Sequence, residues 1–133
     1  MAVHLGVEID PSKIITEGIK HDTEKPRFDL LCGQFLFDVA EVMTFGAKKY
    51  ADRNYLGLKW TRVFAAGMRH LWKWFCGEEN DPETGKPHLA HAGCCVMMLY
   101  EMAMLRKEND DRPFKHYAEN ANCKPEQKTE GEN

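Results

Sequence analysis

Between Arg69 and His91 the chain reads RHLWKWFCGEENDPETGKPHLAH. Into that stretch fall His70, Glu78, Glu79, Asp81, Glu83, His88 and His91. A turn that only reverses a helical hairpin has no use for four carboxylates and three imidazoles. Crowding like charges costs free energy unless a cation, or an anionic ligand with its metal, offsets it. Hard divalent cations take carboxylate oxygens, and imidazole adds affinity toward the transition-metal end of the series. The stretch therefore reads as the metal-bearing part of an active site. Its plain alternative is a solvated loop with His88 and His91 satisfied near a helix start, and the density of titratable groups weighs against that.

A second group is basic. Lys20, Asp22, Lys25, Pro26, Arg27 and Asp29 lie together near the N-terminus, and Lys48, Lys49, Tyr50, Arg53 and Asn54 follow one another farther on. Lysines at a helix C-terminus are explained by the helix dipole alone. Cations interleaved with Asn and aromatics also suit a polyphosphate, and Arg69 beside His70 can add a contact. Phe45, Tyr50, Tyr55, Trp60, Trp72 and Trp74 could stack a base, although at helical spacing such residues more often fill a core. Asp38 and Glu41, three apart, either add carboxylates to a metal site or form a solvated face. Cys94-Cys95 lacks the spacing of a zinc site and reads as buried thiols. The chain has no glycine-rich phosphate loop and no nucleophile elbow.

These groups need elements to position them. Leu36, Phe37, Val39, Ala40, Met43, Ala47 and Tyr50 predict a helix from Gln34 to about Tyr50. Val63, Phe64, Gly67, Leu71, Trp74 and Phe75 predict a second, from about Thr61 to Cys76, with Trp60 or Thr61 as its cap. A third runs from Pro87, suited to a first turn, to about Lys107. Gly77 can end the second helix. If the second and third helices are antiparallel, His70, the carboxylates, His88 and His91 converge at one end of the hairpin. A short helix around Phe114 to Glu119 is also possible. Strand signals are poor, so the fold class is all-α: one domain over residues 1–117. Its first 33 residues form an extended arm, pinned to the core by Ile14, Ile15, Ile19, Phe28, Leu30 and Leu31. The polar tail, 118–133, should be disordered. Three helices bury little alone and the third is apolar over much of its circumference, which predicts self-association.

With 133 residues and a net charge of −3, the chain is long enough for one core and is not a dedicated nucleic-acid binder. Its N-terminus does not read as a signal peptide, and no uninterrupted run of apolar residues suits a membrane span. Five cysteines without framework spacing point to free thiols, hence the cytoplasm.

The segments KHDTEKPRFDLL, EVMTFGAKKYADRNY and AAGMRHLWKWFCGEENDPETGKPHLAHAGCC, in that order, resemble a phage family. It is that of the dATP/dGTP pyrophosphohydrolases (diphosphohydrolases), related to the MazG- and MazZ-type all-α NTP pyrophosphatases. The resemblance runs from roughly Ile19 to Leu105. Tyr55 stands where the pattern has Trp, and the paired E-x-x-E and E-x-x-D signature of the wider superfamily is not plain. The resemblance implies hydrolysis of a purine deoxynucleoside triphosphate to the monophosphate and pyrophosphate, with Mg²⁺ or Mn²⁺, by a homodimer or homotetramer. It points to Glu78, Asp81, His88 and His91 as metal ligands, with Asp38 and Glu41 as possible contributors. His70, Glu79 and Glu83 would serve proton transfer or orient water. Lys20, Lys25, Arg27, Lys48, Lys49, Arg53 and Arg69 would bind phosphates, and Asn54, Tyr55 and Trp60 the base. Alternatives are a metal-dependent phosphohydrolase with another product, or a module that binds nucleotide or protein without turnover.

Overall fold

The computed structural model describes residues 10–116. The expected disordered tail lies outside them. The chain parts into two units, Met1–Leu31 and Cys32–Asn133.

The first unit contains short 3₁₀ turns at Pro11–Lys13 and Phe28–Leu30. Asp10 caps the first through the Ser12 backbone N–H at 3.0 Å. Ile14, Ile15, Ile19, Phe28, Leu30 and Leu31 are exposed. One-turn pieces interrupted by Pro11 and Pro26 present no continuous face that could gather these side chains.

The second unit holds three helices: α1 (Gly33–Lys49), α2 (Trp60–Phe75) and α3 (His88–Leu105). Among the described residues there are no strands, only an isolated bridge between Asn80 and Pro87. The class is all-α.

Helix α2 ends as its sequence dictates. Gly77 takes φ +97°, its N–H bonds to Trp74 O at 2.9 Å, and Glu78 N–H reaches back to Lys73 O at 3.0 Å. This paired closure needs a left-handed residue, which glycine adopts at least cost. The return turn is fixed by Asp81 N–H to Lys86 O (2.8 Å), Gly85 N–H to Asp81 O (2.7 Å) and His88 N–H to Glu79 O (2.9 Å). Pro87 precedes α3 as its cap residue.

At the other end of the hairpin, Trp60 Nε1 donates to Arg106 O at 3.1 Å, so α2 and α3 are antiparallel. Neither Trp60 nor Thr61 caps α2. Lys59 holds the cap position, and Asp111, beyond α3, accepts from the Thr61 backbone N–H at 3.0 Å. A carboxylate 50 residues away thus satisfies an orphan donor that sequence neighbours leave open. The expected fourth helix is a turn over its described residues, 114–116.

The core is small. Tyr55, Trp60, Val63, Cys95 and Met102 form one cluster, and Val42, Ala90 and Cys94 a second. Gly67 lets α2 and α3 approach: a Cβ there would stand 3.0 Å from Cys95 Cβ. Elsewhere large apolar groups face outward. Phe64, Met68, Leu71 and Phe75 are exposed along α2, and Val96, Tyr100 and Met104 along α3. By length and composition α3 also meets the minimum for a membrane span, 18 residues at mean hydropathy 1.2. Its apolar run is interrupted by His91 and Glu101, and its Ala90, Cys94, Cys95 and Met102 are buried in the bundle core.

Candidate active site

Antiparallel pairing brings the end of α2, the return turn and the start of α3 together. His70 Nδ1 lies 2.9 Å from His88 Nδ1, and the His70 ring stacks on His91 with centroids 4.4 Å apart. Ligand atoms of His70, Asp81 and His88 all fall within 4.8 Å of one another, so this group could hold a metal ion. Glu78 lies behind His88, its Oε1 2.7 Å from Nε2. A carboxylate only accepts, so Nε2 donates to it, and Nδ1 is the nitrogen that faces the cluster. Carboxylates commonly orient metal-binding histidines in this way.

Electrostatics favour the protonation states that a cation requires. Burial pushes His70 down to about 4, aided by the neighbouring His91, and burial likewise lowers His91. These imidazoles are neutral near pH 7, with lone pairs available. Burial alone would raise Asp81, but the Thr84 backbone N–H and the nearby imidazoles outweigh it and hold Asp81 below the usual carboxylate range. Asp81 accepts from Thr84 N–H at 3.2 Å, and the Thr84 hydroxyl lies 2.7 Å from His91 Nε2. Two imidazoles with a carboxylate suit the transition-metal end of the divalent series better than Mg²⁺, which prefers an all-oxygen shell.

His70, Asp81, Thr84 and His91 form one end of an open cavity of about 780 Å³ between α1, α2 and α3. From there the walls become apolar along Ala66, Val63, Cys95 and Met98, toward Tyr55 and Leu58. Lys49 spans one wall to Glu83 at 2.7 Å. Arg53 and Asn54 also line the cavity, and Arg53 adopts φ +54°, unusual for a residue with a side chain. Tyr55 donates its hydroxyl to Glu101, and burial raises it to about 12.

Of the residues singled out from sequence, the cavity wall thus gathers His70, Asp81, Glu83, His91, Lys49, Arg53, Asn54 and Tyr55. His88 and Glu78 stand immediately behind. Lys48, Arg69, Glu79 and Trp60 are not part of it. Trp60 is buried, with its indole N–H engaged by Arg106 O. Asp38 and Glu41 both face Lys86, at 3.9 Å for Asp38 and closer for Glu41, so an ammonium compensates them. Cys94 and Cys95 are buried free thiols, and burial raises Cys94 to about 12. In the first unit, Lys20, Lys25 and Arg27 line a cleft of their own, Arg27 paired with Asp29 and Lys20 with Asp22 at 3.5 Å. Sequence reasoning missed Thr84 and Arg62, since a lone threonine in a turn and a lone arginine on a helix give no signal.

No solved structure matches the chain. It is 36% identical over 95 residues to a protein of Salmonella phage PMBT28 named dATP/dGTP diphosphohydrolase. That match covers 71% of this chain but only 33% of the phage protein, so the chain spans about a third of that relative's length. The family model for the N-terminal region of dATP/dGTP diphosphohydrolases matches residues 16–112. The first unit's charged cleft and the whole bundle with its histidine cluster fall inside that match, and the chain belongs to the dATP/dGTP diphosphohydrolase N-terminal family.

Proposed function

We propose that this chain hydrolyses a purine deoxynucleoside triphosphate to its monophosphate and pyrophosphate, with a divalent cation. The observation that carries the reading is the cluster of His70, Asp81 and His88, whose ligand atoms converge at the end of a cavity large enough for a nucleotide. Family membership and the name of the phage relative support the substrate class.

His70, Asp81 and His88 would hold the cation, with Glu78 orienting His88. A cation bound there would withdraw electron density from phosphoryl oxygens and lower the pKa of a water. Water oxygen then forms a bond to the α-phosphorus as the bond to the pyrophosphate oxygen breaks. His91, neutral and facing the cavity, takes the water proton, and Thr84 fixes the ring through its hydroxyl. Lys49 at the wall offsets the charge that develops on pyrophosphate, while Glu83 keeps its side chain in place. The donor set favours Mn²⁺ over Mg²⁺. The working form would be a homo-oligomer in the cytoplasm, trimming a purine dNTP pool during phage infection.

Anion-exchange analysis of products tests this. Each dNTP would be incubated with Mn²⁺, with Mg²⁺ or with EDTA. The expected result is metal-dependent dGMP or dAMP with stoichiometric pyrophosphate. Inorganic phosphate or triphosphate as product would assign a different phosphohydrolase class. Absence of turnover with every dNTP would leave a binding module.

A further inference from the structure

The cavity has a chemically distinct far end. Along α2, Val63, Ala66 and His70 form one stripe, and Arg62 flanks it eight residues before His70. At 1.5 Å per residue this separates the backbones of Arg62 and His70 by about 12 Å along the helix axis. Between the two ends the wall is apolar. A polyphosphate belongs at the cluster and Lys49, whereas the flat face of a purine belongs on the apolar stretch, near Val63 and Met98.

Three cations line this cavity among the described residues: Lys49, Arg53 and Arg62. Lys49 is paired with Glu83 at 2.7 Å, and Arg53 lies 4.0 Å from Glu101. The Arg62 guanidinium has no carboxylate or carbonyl partner among the described residues, and its side chain is exposed at the cavity. A guanidinium is a fork of donors with no acceptor. Guanine presents two adjacent acceptors on one edge, N7 and O6, where adenine presents N7 beside an amino donor.

We propose that Arg62 is the specificity-determining residue of this cavity, selecting guanine over adenine through the N7/O6 edge. The inference rests on the nucleotide-hydrolase reading for its substrate class and adds the residue and edge that choose the base. The donor fork, not the charge alone, makes the choice, because a lysine ammonium offers a point charge without the planar pair.

The test combines turnover and binding. Rates with Mn²⁺ would be measured for dGTP, dATP and 7-deaza-dGTP on the wild type, Arg62→Ala and Arg62→Lys. Arg62→Ala should lower kcat/KM for dGTP about 10–100-fold and change dATP less than about threefold, the scale of one bidentate base contact. Arg62→Lys should share most of the dGTP loss. On the wild type, 7-deaza-dGTP should be poorer than dGTP, and on Arg62→Ala the two should be equal. Equal losses for dGTP and dATP, or rescue by lysine, would overturn the proposal in favour of a phosphate contact. Calorimetric titration with dGMP and dAMP reads the same pocket without turnover. If no dNTP is hydrolysed yet wild type prefers dGMP and Arg62→Ala does not, the hydrolase reading fails and this one stands. Equal binding of the two monophosphates by the wild type overturns it.

Discussion

At the scale of single residues, His88 is the pivot. It is fully buried, with one ring nitrogen toward Glu78 and the other toward His70. Glu78→Gln keeps a side chain of the same shape but removes the charge that fixes the His88 tautomer. Mn²⁺ affinity, read by calorimetry, should fall about 10–100-fold with little change in melting temperature. Undiminished affinity would remove Glu78 from the site. The cluster also makes a pH prediction for the metal-free protein. His70 moves from an ordinary 6.5 to about 4 on folding, chiefly through burial, so the fold favours its neutral form. That stability is complete above pH 6.5, declines as pH falls toward 4, and changes no further below it. Because the ring is partly exposed, the effect should reach at most about 2 kcal/mol. Denaturant titrations in the presence of chelator should show wild type losing this increment relative to His70→Asn across that window. Parallel pH profiles would contradict it. The sequence made the titratable cluster legible because its members sit close along the chain. It could not distinguish which carboxylate faces the imidazoles: Glu78 and Asp81 are three residues apart, and only the turn's hydrogen bonds send one behind His88 and the other into the cavity.

At the scale of elements, the three helices were legible from apolar spacing, and their ends lie within two residues of expectation. Gly77 was legible as the stop of α2 because the closing turn needs a left-handed residue. The α2 cap was not, since its acceptor, Asp111, comes from beyond α3 and leaves no local trace. Nor was the role of Gly67, which depends on a neighbour across the hairpin. Adding a methyl there meets Cys95 Cβ, an atom that cannot rotate away. Gly67→Ala should therefore cost about 1 kcal/mol despite the better helix propensity of alanine. Gly46 in α1 has nothing within 4 Å of an added Cβ, and Gly46→Ala should gain about 0.5 kcal/mol. Opposite signs in urea titrations are the expected outcome. Two stabilised variants would mean that α2 and α3 have slack where they cross.

At the scale of the whole molecule, the outward apolar groups outweigh what a lone bundle this small should present. Val96 and Tyr100 are 66% and 71% exposed, one turn apart on α3, with Met104 a turn beyond. Phe64, Met68, Leu71 and Phe75 make a comparable stripe on α2. These residues explain why α3 looked apolar nearly all round: one side fills the core around Met102, and the other meets solvent within a single chain. Contiguous apolar surface of this kind marks an association face, and a stable dimer needs about 800 Å² from each partner. A second copy presenting the same stripes supplies a self-complementary match by two-fold symmetry. Sedimentation velocity in the micromolar range should therefore give a dimer or larger species for the wild type. The double variant Val96→Glu/Tyr100→Glu should sediment as a monomer while keeping its helical circular dichroism, because exposed substitutions typically change the stability of a single chain by about 0.5 kcal/mol or less. Placing two carboxylates on each side of a symmetric interface sets like charges face to face, a repulsion that a free surface would not register. A wild type that sediments as a monomer throughout would show that the bundle tolerates this surface bare. A double variant that remains oligomeric would move the association face to another part of the molecule.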